Sequence, residues 1–168
     1  ATRLVEFLTP IVKAYFTDNA FTKASEALQC FGGYGYITDY EIEQFVRDVR
    51  VAMIYEGTNS IQAMDLVFRK VLADGGQSIN LIARLIDNLK KEIFFKENNE
   101  YIIAVEKALI DLKEAVEWLK KNHCDNNVKL IEASAVYFLR LCGHIMFGYM
   151  WLRMILGTTK LDVGDDAN

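Results

Sequence analysis

The sequence predicts an all-α protein, and three observations support that fold class. Apolar residues recur at steps of three and four along most of the chain, which is the spacing of one helix face. A single proline occurs in 168 residues, although chains built from many short strands need frequent turn residues. Hydrophobic residues make up 52% of the chain and charged residues 25%, which is typical of a globular protein with a substantial core.

Four apolar stripes predict four helices in the first 72 residues. The first stripe contains Pro10, which should bend or end its helix. The second ends at Gly32 and Gly33, because glycine commonly closes a helix. The fourth begins near Asn59, with Gln62 three residues later, and this pair resembles a capping box with Asn59 as the cap. The stripes are Leu4, Phe7, Leu8 and Ile11; Phe21, Ala24, Leu28 and Phe31; Ile42, Phe45, Val49 and Met53; and Ile61, Met64, Leu66, Val67 and Val71.

Three longer stripes follow the Gly75-Gly76 break and predict an antiparallel helical bundle over residues 77–157. Each stripe needs a partner for its one apolar face. The connections near residues 98–99 and 123–127 are short, so neighbouring helices should run in opposite directions. Residues 158–168 lose the pattern, and we expect a flexible tail there. The stripes are Ile79, Ile82, Ile86, Leu89 and Ile93; Ile102, Val105, Leu109, Leu112, Val116 and Leu119; and Ile131, Ala135, Phe138, Cys142, Ile145, Tyr149 and Leu152.

Charge and cysteine usage exclude several classes of function. The net charge of −4 argues against a nucleic-acid surface, which needs concentrated lysine and arginine. Cys30, Cys124 and Cys142 form no CxxC pair, so we expect no metal site and a reduced, cytoplasmic compartment. The most apolar stretch, residues 145–156, is short and contains Arg153, so we expect no transmembrane segment.

Three motifs in the first half form a recognisable pattern. They are Gln29-Cys30-Phe31-Gly32-Gly33-Tyr34-Gly35-Tyr36, Arg47-Asp48-Val49-Arg50 and Tyr55-Glu56-Gly57-Thr58-Asn59. Together they resemble the C-terminal part of the acyl-CoA dehydrogenase family. Residues 1–72 would be the end of its C-terminal helical domain. Residues 77–157 would be an appended antiparallel helical bundle, as in the long bacterial members that include 3-methylmercaptopropionyl-CoA dehydrogenase-like proteins.

The resemblance assigns a role to each residue of these motifs. Glu56 would be the general base that removes the alpha proton of an acyl-CoA thioester. Tyr55 and Gly57 would line the thioester pocket, and the Glu56 N–H would polarise the thioester carbonyl. The residues implied to contact the cofactor FAD are Gln29, Cys30, Phe31, Gly32 and Gly33, across a subunit interface, and Thr58, Asn59 and Ser60.

Simpler interpretations accompany these roles. On its own, Glu56 could be an exposed loop glutamate, and the glycine segment could be only a helix C-cap and turn. Tyr55 could serve packing alone. Arg47 and Arg50 are expected first to pair with acidic neighbours such as Glu43 or Asp39.

The function implied for the parent protein is alpha,beta-dehydrogenation of an acyl-CoA to a trans-2-enoyl-CoA. Electrons would pass from FAD to an electron-transfer flavoprotein, and the protein would be a homo-oligomer, either a dimer or a tetramer, in the bacterial cytoplasm. We expect the chain alone to be an inactive C-terminal fragment. The alternatives are a helical oligomerisation module without chemistry and an acyl-CoA oxidase, which reacts with oxygen.

Overall fold

The computed structural model describes residues 2–92 and 100–165, with side chains described through residue 158. Every regular element in these residues is helical, and they contain no strand, which confirms the all-α prediction. The helices are α1 (Thr2–Cys30), α2 (Ile42–Ala52), α3 (Asn59–Met64), α4 (Gln77–Glu92), α5 (Glu100–Cys124) and α6 (Val128–Asp165). They are joined by two 3-10 segments (Gly32–Tyr36 and Thr38–Tyr40) and one π-helical segment (Asp65–Leu72).

Helix α1 is continuous over 29 residues and passes through Pro10. The helix was predicted to bend or end at Pro10, and it does not end there. The first two apolar stripes therefore belong to one helix. An interior proline costs about 3 kcal/mol relative to alanine. Pro10 is itself buried, together with Phe7, Ile11 and Ala14, and this packing offsets the cost.

Glycines end α1 as predicted. Gly32 has a φ of +59°, a left-handed conformation that glycine adopts without strain. Gly35 lies so close to α1 that a Cβ there would be 2.6 Å from the Leu28 carbonyl oxygen. The 3-10 segment Gly32–Tyr36 therefore folds back tightly on the end of α1.

The start of α3 differs from the predicted capping box. Thr58, not Asn59, holds the cap position, and its side chain makes no capping hydrogen bond. Gln62 reaches back past the cap, and its Nε2 donates to the Glu56 carbonyl oxygen at 2.9 Å. Asn59 is already helical, and its side chain points toward α1 instead.

Helix α5 runs antiparallel to both α4 and α6, as predicted for neighbouring helices. Gly76, just before α4, faces Val116 of α5, whereas Lys90 near the other end of α4 pairs with Glu106. Likewise Gly148 of α6 contacts Val105 at one end of α5, and Trp118 shares a groove with Ser134 near the other. The predicted connection at residues 98–99 lies outside the described residues.

The two halves of the chain share one hydrophobic core. Val67 and Val71 of the π-helical segment, Ile11 of α1, Leu112 of α5 and Ile145 of α6 are each 2% exposed or less and belong to one cluster. Residues 77–157 therefore do not form a core separate from that of residues 2–72.

Helix α6 is the longest element and the most apolar. By length and composition alone, its span Val128–Thr158 could cross a membrane, with a mean hydropathy of 1.4 and 39% of the window buried in this structure. Ile131, Ala135 and Leu152 of this helix are buried in the core. The helix continues to Asp165, into the segment for which a tail was predicted, and residues 166–168 lie outside the described residues.

Candidate active site

The candidate site is centred on the turn between α2 and α3. Glu56 has a φ of +54° and Gly57 a φ of +83°. Glycine adopts this left-handed region freely, whereas a residue with a Cβ does so at a cost of roughly 1–2 kcal/mol. The side chain of Glu56 is exposed on this turn. The predicted position of Glu56, on a glycine-hinged turn before a helix, is thus what the structure shows.

Helix α1 holds this turn from one side. Lys13 Nζ donates to the Gly57 carbonyl oxygen at 2.6 Å and to Asn59 Oδ1 at 2.9 Å. Asn59 Nδ2 donates to Asp18 Oδ1 at 2.6 Å and lies 3.2 Å from the Ala14 carbonyl oxygen. Both polar ends of the Asn59 side chain are therefore bonded to α1, which fixes the start of α3 against the middle of that helix.

The backbone of the turn is held at two further points, but three of its N–H groups find no acceptor among the residues that the structure describes. The Asn59 N–H donates to the Met53 carbonyl oxygen at 3.2 Å, and Gln62 holds the Glu56 carbonyl. The N–H groups of Glu56, Gly57 and Thr58 have no hydrogen-bond partner among the described residues. They are available to an acceptor atom of a ligand.

A cavity of about 290 Å³ opens beside the turn, where α1, α2, α3 and α6 meet. Two arginines line it, Arg50 from α2 and Arg140 from α6. Arg50 lies 5.6 Å from the centre of the Phe21 ring and donates to Met53 Sδ at 3.2 Å, and the Arg140 guanidinium has no partner among the described residues. The lining is completed by Ala14, Asp18, Met53, Ile54, Thr58, Asn59, Ser60, Ala63, Val136 and Leu139.

The structure does not bring the glycine segment to this turn. Gln29, Cys30, Phe31, Gly32 and Gly33 are all exposed, at the far end of α1. The turn rests on α1 near its middle, some 13 residues earlier, and at 1.5 Å per residue the two places are roughly 20 Å apart along the helix. The two predicted groups of cofactor-binding residues are therefore separate surfaces of this chain.

The Arg47-Asp48-Val49-Arg50 motif makes contacts other than those expected from the sequence. Asp48 Oδ1 accepts from Gln44 Nε2 at 2.6 Å. In the described part of the chain, neither arginine forms an ion pair with Glu43 or Asp39. That expectation was wrong for both arginines, and the Arg50 side chain extends over the Phe21 ring instead.

Two family models match the chain in succession. The model described as "Acyl-CoA dehydrogenase, C-terminal domain" covers residues 2–71, and the one described as "Acetyl-CoA dehydrogenase C-terminal like" covers residues 79–168. The second alone spans more than half of the 168 residues. The chain belongs to the acyl-CoA dehydrogenase family.

Individual members of the acyl-CoA dehydrogenase family match over different parts of the chain. The 3-methylmercaptopropionyl-CoA dehydrogenase of Ruegeria pomeroyi is 44% identical over 93 residues, which is 55% of this chain and 16% of that protein. The broad-specificity linear acyl-CoA dehydrogenase FadE5 of Mycobacterium tuberculosis is 40% identical over 79 residues, 47% of this chain and 13% of that protein. A butyryl-CoA dehydrogenase of Syntrophomonas wolfei is 30% identical over 165 residues, 94% of this chain and 26% of that protein.

The chain spans between 13% and 26% of the length of these acyl-CoA dehydrogenases. The resemblance identified from the motifs is confirmed at the level of the family, including the long bacterial members. The roles of individual residues remain predictions.

Several residues around the turn were not identified from the sequence. Lys13 lies 44 residues before Gly57, and no local pattern connects them. Arg140 lies on α6, which the sequence marks only as a packing helix. A weak indication exists for Lys13, since Lys13 and Thr17 stand four residues apart and place two polar groups on one side of α1.

Proposed function

We propose that this chain is the C-terminal part of an FAD-dependent acyl-CoA dehydrogenase, which converts an acyl-CoA thioester to a trans-2-enoyl-CoA. The observation that carries the proposal is the placement of Glu56. Its carboxylate is exposed, while the backbone beneath it is fixed by hydrogen bonds from Lys13 and Gln62. A general base must be held within reach of one particular proton, and this turn offers a carboxylate that extends from a fixed backbone.

Glu56 is proposed as the general base for the alpha proton. As that proton leaves, negative charge develops on the thioester carbonyl oxygen. Hydrogen-bond donors that face this oxygen stabilise the charge, and the free N–H of Glu56 is proposed as one of them. Tyr55, whose side chain is 52% exposed, and Gly57 are proposed to lie against the thioester.

The residues beside the cavity fit part of an FAD molecule. The hydroxyls of Thr58 and Ser60 and the guanidinium groups of Arg50 and Arg140 border it, and guanidinium groups suit phosphate oxygens. The Asn59 amide is bonded to α1, so we propose that Asn59 contributes through its backbone rather than its side chain. FAD, when bound, would accept the hydride from the beta carbon of the substrate.

The glycine segment is proposed to serve a neighbouring subunit. Residues 29–33 are exposed and lie roughly 20 Å along α1 from the turn, which suits contact with the FAD of a second copy. The parent protein would then be a homo-oligomer, a dimer or tetramer. We further propose an electron-transfer flavoprotein as electron acceptor and a cytoplasmic location in bacteria.

The variant Glu56→Gln in the full-length enzyme tests the catalytic assignment. Glutamine keeps the volume and a carbonyl but cannot accept the alpha proton, and loss of a general base typically costs about 10²–10⁴-fold in rate. The measurement is the rate at which the flavin absorbance bleaches when an acyl-CoA substrate is added without oxygen, with FAD content measured in parallel.

Glu41→Gln is the matched control. Glu41 is also an exposed glutamate in the left-handed region, with a φ of +59°, but it stands at the start of α2. We expect the Glu41 variant to bleach at the rate of the unmodified enzyme. Bleaching of the Glu56 variant at that same rate would remove Glu56 from the role of base.

A further inference from the structure

The residue proposed as the base is held in an unfavourable backbone conformation. Glu56 is one of three non-glycine residues with positive φ in the described part of the chain, the others being Glu41 and Asn126. Such a conformation persists only where the surroundings enforce it. The atoms that enforce it at Glu56 are therefore part of what places the carboxylate.

Lys13 makes the most direct of these contacts. It is half-buried on α1, and its ammonium group bridges the Gly57 carbonyl oxygen and the Asn59 side chain. The bridge spans both sides of Thr58, so it fixes the direction in which the chain leaves Glu56. Because the 2.6 Å contact is to the Gly57 carbonyl, it constrains the Gly57–Thr58 peptide, the second peptide after Glu56.

The contacts of Asn59 make this bridge rigid. The Asn59 side chain donates to Asp18 at 2.6 Å, and Thr17 Oγ1 lies 3.0 Å from the same amide nitrogen. Lys13, Thr17 and Asp18 all project from one stretch of α1, whose buried residues Ala14 and Tyr15 belong to the core. The turn is thus tied to an immobile part of the molecule.

We propose that Lys13 is a positioning residue for Glu56, one that holds the Gly57–Thr58 peptide through the Gly57 carbonyl and thereby fixes the backbone from which the Glu56 carboxylate extends. This rests on the proposed role of Glu56. Lys13 touches neither the proton nor the thioester in this account. Gln62, which holds the Glu56 carbonyl at 2.9 Å, supports the preceding peptide unit, Glu56–Gly57, from the α3 side.

Lys13→Met in the full-length enzyme tests the proposal, because methionine keeps the length of the side chain and removes its three donors. We expect the limiting rate of flavin bleaching by substrate to fall about 10- to 100-fold, the scale on which small misplacements of catalytic groups act. The dissociation constant of the substrate and the FAD content should stay within about twofold of normal, since the variant loses orientation rather than binding. If Lys13 served only the stability of the fold, the limiting rate would not fall while the substrate dissociation constant and the FAD content stayed normal.

Two further variants complete the design. Lys13→Arg retains a donor for the Gly57 carbonyl and should recover most of the lost rate. Lys23→Met removes a lysine of the same helix that pairs with Glu26 on the surface, where the Lys23 side chain is 70% exposed, and it should leave the rate unchanged. If Lys13→Met loses FAD, the variant Gln62→Met takes its place, because it removes the hydrogen bond to the other held carbonyl of the turn, that of Glu56. A normal bleaching rate in Gln62→Met would count against the proposal that these backbone hydrogen bonds position Glu56.

The outcomes separate this inference from the proposed function. A Lys13→Met enzyme that bleaches at the normal rate, beside an inactive Glu56→Gln enzyme, would overturn the role of Lys13 and leave the base in place. A Glu56→Gln enzyme of normal rate would remove the base, and the positioning role of Lys13 with it. A crystal structure of Lys13→Met should show Glu56 departing from positive φ, and an unchanged turn would also count against the proposal.

Discussion

Replacing Gly143 by alanine should destabilise the chain, although alanine is the better helix former. Gly143 lies on α6 where it crosses α1, and a Cβ there would stand 2.4 Å from Cδ2 of Tyr15. Ordinary contact begins at 3.4 Å, so a displacement of about 1 Å is needed. The Tyr15 ring is 8% exposed and packs edge-on against His144 and Phe147, with ring centres 5.3 and 5.0 Å away, which leaves it little room to move.

The expected size follows from two opposing effects. Overpacking of a well-packed core costs about 1–3 kcal/mol, and the gain in helix propensity from glycine to alanine returns roughly 1 kcal/mol. Gly157→Ala on the same helix provides the control, because a Cβ at Gly157 meets nothing within 4 Å and only the propensity gain applies. Gly148→Ala should fall between the two, since its Cβ would meet one methyl group of Val105 at 2.7 Å.

The assay is urea unfolding of the purified chain, followed by far-UV circular dichroism. The free energy of unfolding of Gly143→Ala should lie about 1–3 kcal/mol below that of Gly157→Ala, because the steric cost is the only difference between the two changes. Equal stability of the two variants would show that α6 and α1 do not approach each other as closely as the structure has them.

The remaining predictions concern the core and its cysteine. Leu112→Ala should lower the free energy of unfolding by about 2–5 kcal/mol, because Leu112 is 1% exposed. The control Ile110→Ala, at a site 56% exposed, should lower it far less. A similar loss of stability in both variants would contradict the assignment of the buried face of α5. Burial raises the pKa of the Cys142 thiol, and the thiolate is the reactive form. At neutral pH a thiol reagent should therefore modify the exposed Cys124 and leave Cys142 unmodified until the chain unfolds. Mass spectrometry of the peptides measures this difference, and equal modification of both cysteines in the folded chain would mean that Cys142 is accessible.

Sequence periodicity predicted α4, α5 and α6 well because one apolar face of each is buried. It also predicted α2, although no residue of that helix is buried. Ile82, Leu112, Val116 and Ile145 were all assigned to the inner face, and each is 3% exposed or less. One exception is Pro10, where a local rule predicts an interruption. Burial around Pro10 outweighed the local preference, and burial at a given position depends on which elements of the fold pack there.

The candidate site was only half predictable for a related reason. The motif from Tyr55 to Asn59 is contiguous, so its turn and its position before a helix follow from local chemistry. The groups that hold it come from α1, more than 40 residues earlier, and their pairing depends on tertiary packing. The capping-box prediction failed because of tertiary packing as well, since the Asn59 side chain forms hydrogen bonds with Lys13 and Asp18 rather than with the backbone of its own helix.

Helix α6 connects the appended half of the chain to the proposed active site. Phe147 contacts both Tyr15 and Phe16 of α1, with ring centres 5.0 and 5.4 Å away, and Tyr15 lies two residues from Lys13 on that helix. Four residues before His144, Arg140 lines the cavity beside Thr58 and Ser60. A displacement of α6 would therefore disturb the α1 surface on which the Glu56 turn rests and would also change one wall of the cavity. Because the two halves share one core, the segment that follows residue 76 is a structural support of the candidate site, and its contacts with α1 should influence the position of Glu56 as well as the stability of the fold.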